Sequence, residues 1–367
     1  MRRWIRALFC SVALGSALAY ANPANAPNTA NTTGTTEITG IAKALQPGAA
    51  LVPAEHVRGL EQTLLTYPEW FLVFSPYEYG EFIGSRPPSH FPYYGHIGQF
   101  WQSYKAVYEE TRKRNLELNP GYHLMIMVIG ISTTVEYAIK SAYESLIGRL
   151  AESSASGLTP EDRHAAAVAQ DYVRFIRIQP WYEYNFDKAL AGLWRDTPVG
   201  GPNQLRKWER RFALTTEYLI KAGYARVIKL GTQSVYDAPL PVTAMVVTPS
   251  PAVSAALPEL KTISALDNGA VILTVPRYEA FTSYAQALAS QGINFKEIAG
   301  NNTFILVSLV TPDSWVVQSA ATQLFTQPIL TQTGFKRVVL TVPVQFLAEA
   351  LRQWKAANLQ VEHVFDY

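Results

Sequence analysis

Repetition is the feature of this 367-residue chain that most narrows its possible folds. Val247-Thr248-Pro249 returns 63 residues later as Val310-Thr311-Pro312, and Leu273-Thr274-Val275-Pro276 returns 67 residues later as Leu340-Thr341-Val342-Pro343. Around these landmarks the β-branched runs read as strands and the alanine-rich runs as helices. The first pass gives strand 242–248, a short helix 250–257, strands 260–265 and 270–275, helix 278–291 ended by Gly292, and strand 293–298. Asp267-Asn268-Gly269 between the middle strands is a hairpin turn, because two of its residues tolerate positive φ. The second pass gives strand 303–311, helix 313–324, a weak strand 328–332, strand 336–342, helix 345–357 and strand 359–366. Each pass spells βαββαβ in about 60 residues, too few to bury a stable core alone, so the two are expected to pack together.

By element order each pass resembles the ferredoxin-like fold. That resemblance implies a four-stranded antiparallel sheet with two helices on one face, and no activity. Neither pass carries cluster-ligating cysteines or an aromatic nucleic-acid signature. The fold class expected is α+β: a mostly helical domain over 46–237, then ferredoxin-like repeats over 238–300 and 301–367.

The helical part has helix-period stretches near 54–66, 96–115, 122–150, 160–178 and 203–236. Pro68, Pro76, Pro87, Pro88, Pro92, Pro120, Pro180 and Pro198 punctuate it. Thr159-Pro160-Glu161-Asp162 has the composition of a helix start: a hydroxyl cap, proline in the first turn, then acids. Of the 44 aromatic residues, 29 lie between Tyr67 and Tyr236, which marks this part for a thick core, a ligand cleft or a membrane-facing surface.

A second duplication lies here. Residues 134–147 and 215–228 share seven of 14 positions, in the pattern T-x-E-Y-x-I-K-x-x-Y-x-x-x-I. On a helix Glu136, Lys140, Tyr143 and Ile147 fall on one stripe, as do Glu217, Lys221, Tyr224 and Ile228. One reading is an i,i+4 ion pair beside a packed tyrosine. The other is that Glu136 and Glu217 face each other, tuned as acid and base by Lys140 and Lys221, with Tyr143 and Tyr224 beside them. Glu69 and Trp70, in Tyr67-Pro68-Glu69-Trp70, are candidate ligand-binding residues, as are Trp181 and Glu183 in Trp181-Tyr182-Glu183-Tyr184. Each glutamate sits among aromatics, where an ionised carboxylate needs a partner.

His90, His96 and His123 are weak metal-ligand candidates, since their spacing matches no common ligand set. Glu161/His164 is the sole Glu-x-x-His spacing, where a dimetal carboxylate site needs two. No G-x-S-x-G elbow, P-loop or strand-linked G-x-G-x-x-G occurs, and no cofactor is expected.

Arg2, Arg3 and Arg6 precede the apolar run Ala7–Ala19, followed by A-x-A sites ending at Ala19 and Ala21. That order reads as a secretory signal over 1–21, and the Asn/Thr/Pro segment 22–45 reads as a disordered tether. An uncleaved inner-membrane anchor is the alternative. The formal charge of +2 and the single cysteine, Cys10, therefore belong to the leader. Losing Arg2, Arg3 and Arg6 brings the net charge to −1, with no basic run to recommend nucleic acid as a partner.

Leu124–Ile139 is apolar but holds Ser132, Thr133, Thr134 and Glu136, so it is expected to be a helix buried in a soluble core rather than a lipid-facing span. Membrane association stays open as the other possibility. The stretch from Tyr67-Pro68-Glu69-Trp70-Phe71 to Phe100-Trp101, with the E-Y-x-I-K helices, resembles a family of exported bacterial envelope proteins, a likeness that implies no activity. The expectation is a periplasmic protein of binding or scaffolding type, with an unknown protein or small molecule as partner. The alternatives are an acid/base or hydrolytic enzyme built on the duplicated stripes, and a membrane-embedded helical domain with a soluble α/β tail.

Overall fold

The computed structural model describes residues 50–232, 242–248, 257–318 and 320–367. The segments expected to be a leader and a tether lie outside them, as does all but the last residue of the helix expected at 250–257. The chain is α+β: helices first, then two antiparallel four-stranded sheets. The helices are α1 (Gln62–Ile83), α2 (Tyr93–Lys113), α3 (Pro120–Tyr143), α4 (Pro160–Ile176), α5 (Phe186–Asp196) and α6 (Gln204–Thr232). The first sheet holds β1 (Val242–Val247), β2 (Lys261–Ala265), β3 (Val271–Pro276) and β4 (Phe295–Ile298), with α7 (Glu279–Ser290) before β4. The second holds β5 (Phe304–Pro312), β6 (Thr322–Pro328), β7 (Phe335–Pro343) and β8 (Gln360–Phe365), with α8 (Val344–Ala356) before β8.

The strand orders are β2-β3-β1-β4 and β6-β7-β5-β8, so the duplicated landmarks produce the same topology twice. Pro276 and Pro343 stand opposite Val242 and Phe304, at matching ends of the two central pairs. Pro343 leads straight into α8, whereas Arg277 and Tyr278 intervene before α7, and Tyr278 takes a φ of 61°. Leu273, Val275, Phe281 and Leu288 pack with Val307, Leu340, Leu347 and Leu351 in one core, so the two repeats bury their apolar faces against each other.

One expected element is replaced. Residues 313–324 were expected to be a helix and 328–332 a strand; instead β6 occupies 322–328, and no helix stands between β5 and β6 among the described residues. The reason is reach. Pro312 pairs with Phe335 while Thr322 pairs with Thr341, so the connection must run back along most of β7, about 20 Å at strand rise. Residues 313–321 cover that span when extended, whereas a helix rising about 1.5 Å per residue would fall short.

Two further expectations change. Pro68 and Pro76 do not end a helix but lie inside α1, which starts later than the 54–66 reading suggested. Each removes one backbone hydrogen bond, which the burial of Tyr67, Trp70, Phe71 and Phe74 against sheet residues Leu306, Val339 and Phe365 offsets. Helix α5 was not anticipated; Asn185 caps it, its Oδ1 accepting from the Lys188 amide at 2.9 Å. Thr159 does cap α4, in a reciprocal box with Asp162.

Helix α1 lies across the second sheet. Thr63 Oγ1 donates to the Phe365 carbonyl at 2.7 Å and accepts from the Leu306 amide at 3.0 Å. Gln99 on α2 and Gln327 on β6 exchange bonds, Gln99 Nε2 donating to Pro328 O and Gln327 Nε2 to Gln99 O, both at 2.7 Å. Helix α3 packs on α2 through Gly130, where an added Cβ would stand 2.2 Å from Phe100 Cε1 and 3.0 Å from Trp101. Gly130→Ala is therefore expected to cost about 1–3 kcal/mol through forced separation of the helices. Urea unfolding measures it, and an unchanged midpoint would show that α2 and α3 are not so closely packed.

Candidate functional site

The two E-Y-x-I-K stripes meet. Helices α3 and α6 run antiparallel, since rising numbers on one partner falling numbers on the other. Lys221 Nζ is 3.2 Å from Glu136 and Lys140 Nζ is 2.9 Å from Glu217. The same-helix pairs, Glu136–Lys140 at 3.1 Å and Glu217–Lys221 at 2.7 Å, close a ring of four alternating charges. The seam continues through Glu144–Arg210 at 2.8 Å and Arg206 donating to the Gly148 carbonyl at 3.3 Å. A π-helical turn, Glu144–Gly148, sets this phase. Gly148 has no Cβ to meet the Glu144 carboxylate, which would lie 2.2 Å away.

Aromatic walls flank the ring. The Lys140 ammonium stands 5.1 Å over Tyr79, and that of Lys221 5.7 Å over Tyr172, each a cation–π contact. Burial pushes the Glu136 and Glu217 carboxyls up, but the two ammoniums more than reverse this, holding both below the usual carboxylate range. Burial pulls the lysines down, and the carboxylates more than reverse that too. All four groups are thus fixed in their charged forms, far from the near-neutral pKa that proton transfer favours. The ring is chemically suited to clamp α3 to α6.

The stripes diverge beyond the lysines. Burial and Glu209 push the Tyr143 phenol up, while Tyr224 stacks on Trp181 at 5.2 Å. Ile228 is buried, whereas Ile147 is exposed.

The remaining candidates fall in separate places. Glu69 accepts from Tyr122 OH at 2.5 Å, and burial raises its pKa against that bond. Trp70 is buried against His363, ring centroids 3.6 Å apart and planes tilted by 31°. Glu183 pairs with Lys229 at 2.7 Å across a groove beside Trp181. His90 bonds Glu152 at 3.0 Å, His96 bonds Ser75 at 3.0 Å, and His123 bonds Glu61 at 2.8 Å. No three metal-binding side chains converge among the described residues. Glu161 pairs with Arg211, and His164 bonds the Ala189 carbonyl, so the Glu-x-x-His spacing serves packing.

A serine–histidine–carboxylate series that the sequence did not suggest lies inside the helical layer. Ser75 Oγ is 3.0 Å from His96 Nδ1, and Glu78 Oε2 is 3.6 Å from His96 Nε2. A nucleophile must touch its substrate. Ser75 is instead buried, shared with Tyr137 OH at 2.7 Å, and Glu78 is paired with Arg337 at 3.1 Å.

The largest unclaimed feature is apolar. The apolar helix was expected in the core, yet Leu124, Met127, Ile131, Val135 and Ile139 line an exposed stripe on α3, Ile139 at 65% exposure. Leu146, within the π turn, and Leu150 beyond it extend the stripe. On α6, Leu205, Trp208, Phe212, Leu219 and Ile220 form a second exposed stripe, while Arg206, Lys207, Glu209, Arg210 and Arg211 are buried. The inversion has partners: Arg206 meets Asp162 at 2.9 Å, Arg211 meets Glu161 at 3.0 Å, and Lys207 donates to the Gly200 carbonyl at 2.6 Å. Apolar residues at 205, 208 and 212 ordinarily mark the inward face of a helix. Only the buried acids of α4 and the Glu144 turn reverse that choice.

The fold and its charge seam define an α+β protein in which α3 and α6 pair charged side chains between them while each also turns an apolar stripe outward. No protein-family model matches the chain, and neither a curated protein nor a solved structure matches it.

Proposed function

We propose that this chain is an exported envelope protein of binding or scaffolding type that lies against a membrane through α3 and α6 and offers its paired sheets to water. The carrying observation is the pair of outward stripes. From Leu124 to Ala142 and from Leu205 to Gly223, about 27 Å each at 1.5 Å per residue, the outward positions are uncharged, and the most exposed charged side chain there, Glu136 at 42%, is paired with Lys140 and Lys221. The neighbouring helices favour lying on the membrane over crossing it. Lys105 and Glu109 on α2, Arg163 and Asp171 on α4, and Asp187 and Lys188 on α5 all face solvent. An apolar face on a helix whose other side packs on protein suits insertion at the headgroup boundary. Trp194 and Trp208, 6.2 Å apart and half exposed, suit that depth. The basic, apolar start of the chain supports export.

Vesicle flotation tests the reading. The protein is expected to float with vesicles of phosphatidylethanolamine and phosphatidylglycerol, and Ile131→Asp with Phe212→Asp is expected to weaken binding at least about tenfold, since a charge at such a position costs a few kcal/mol. A wild-type protein that stays at the bottom sinks the proposal. So does a dimer in solution that the same substitutions split, because a second copy would then cover the stripes.

A further inference from the structure

A groove of about 260 Å³ runs between the turn Trp181–Glu183 with the start of α5 on one side and the end of α6 on the other. Its walls are sorted by charge. Glu183 and Asp187 stand on the first wall, with Tyr182, Tyr184 and Phe186 beside them. Arg226 and Lys229 stand on the α6 wall, with Ala222 and Ala225 leaving room between. Two ion pairs bridge the gap, Arg226–Asp187 at 2.6 Å and Lys229–Glu183 at 2.7 Å. Both are exposed, Arg226 at 65% and Glu183 at 45% of their side chains, and exposed pairs hold together by at most about 1 kcal/mol.

Resting on the membrane reading, we infer that this groove takes a phospho-ammonium group, the head of a zwitterionic phospholipid or its free counterpart. A ligand that opens both bridges must carry both charges in the order the walls set. The ammonium faces the two carboxylates, on the wall that Tyr182 and Tyr184 share. The phosphate faces Arg226 and Lys229, three residues apart on one helix, so that separate oxygens take each. The volume is slightly below the roughly 300 Å³ at which pockets for drug-sized ligands begin, which suits a head group. Position favours a lipid source. Arg226 borders the apolar stripe of α6, where Gly223 and Val227 are exposed, so acyl chains would run along that stripe.

Two measurements on the full-length protein test this. Tryptophan fluorescence, to which Trp181 contributes next to the groove residue Tyr182, is followed as phosphoethanolamine is added, with ethanolamine and inorganic phosphate as controls. Flotation is compared for vesicles of pure phosphatidylglycerol and vesicles seven parts phosphatidylethanolamine to three parts phosphatidylglycerol. A saturable response to phosphoethanolamine alone supports the inference with a free source even if no vesicle binds, in which case the membrane reading falls separately. A preference of at least about fivefold for the mixed vesicles, about 1 kcal/mol, supports the lipid source. In either case the preference must vanish in Arg226→Gln/Lys229→Gln and in Glu183→Gln/Asp187→Asn. Those variants must keep the wild-type circular dichroism and their binding to phosphatidylglycerol vesicles, if the wild type has any. Equal binding of both vesicle types with no response to phosphoethanolamine overturns the inference, as does a preference that both variants retain.

Discussion

Replacing Arg337 with Met is expected to destabilise the protein by about 3–5 kcal/mol, the cost of leaving buried charges unpaired. Arg337 is 1% exposed near the start of β7, opposite Gln327 on β6 and Val310 on β5. Its guanidinium holds Glu362 at 2.6 Å and Glu78 of α1 at 3.1 Å, and lies 4.6 Å over Phe74. The substitution keeps much of the volume but strands both carboxylates, one of them on the helix that covers the sheet. Burial already raises the Glu78 pKa despite Arg337, so this carboxylate has little reserve. Adding Glu78→Gln should recover part of the loss. Thermal or urea unfolding reads the effect, and a loss below about 1 kcal/mol would mean that α1 is not tied to the sheet through this residue.

The second large effect is a loss of stability on mild acidification. His96 and His363 are both buried, and burial, aided by Arg337 and Arg177 respectively, lowers their pKa values, His96 to about 3. An unfolded histidine takes up its proton near pH 6.5, so unfolding binds protons throughout the window between the two values. Stability is therefore complete above about pH 7.5 and falls as pH drops through 6.5, by up to about 1.4 kcal/mol per pH unit for each histidine. Glu69, Glu78 and Glu144, whose pKa values burial raises, act in the opposite sense, most strongly toward pH 4. The clean measurement is the difference between wild type and His96→Gln. That gap should shift by about 2 kcal/mol in favour of the variant between pH 7.5 and 5. A constant difference would mean that His96 is not held neutral. The Glu136–Lys221 ring behaves differently: its carboxylate contribution persists above about pH 4.3 and its lysine contribution below about pH 10.4, so it does not enter this window.

Much of the fold was legible because it rests on local chemistry. Pro276 and Pro343 end strands because they cannot donate to a ladder, and Thr159 starts a helix because its hydroxyl satisfies an amide. The misreadings share one cause. The link at 313–321 has a composition that passes for helical, but the register of β5, β6 and β7 demands an extended connection. Pro68 and Pro76 read as breaks, but α1 gains more from burial against the second sheet than it loses in two hydrogen bonds.

The candidate residues show the same division. The spacing of Glu136, Lys140, Glu217 and Lys221 placed each pair on a helical stripe, and the repeat implied that the stripes correspond. It could not say that each glutamate pairs with both lysines, which needs the antiparallel approach of α3 and α6. Glu183 drew notice as an acid among aromatics, but Arg226 and Lys229, which complete the groove, lie a helix away with no signal of their own.

Repetition, periodicity and punctuation, all written along the chain, thus determined the α+β order, the twice-used sheet topology and the Thr159 cap of α4. Which face of α3 and α6 turns outward was decided only in three dimensions. Leu205, Trp208 and Phe212 have a helical spacing that is indifferent to inside and outside. The choice falls to Arg206, Arg210 and Arg211, because buried guanidiniums are tolerable only where Asp162, Glu144 and Glu161 wait on neighbouring helices.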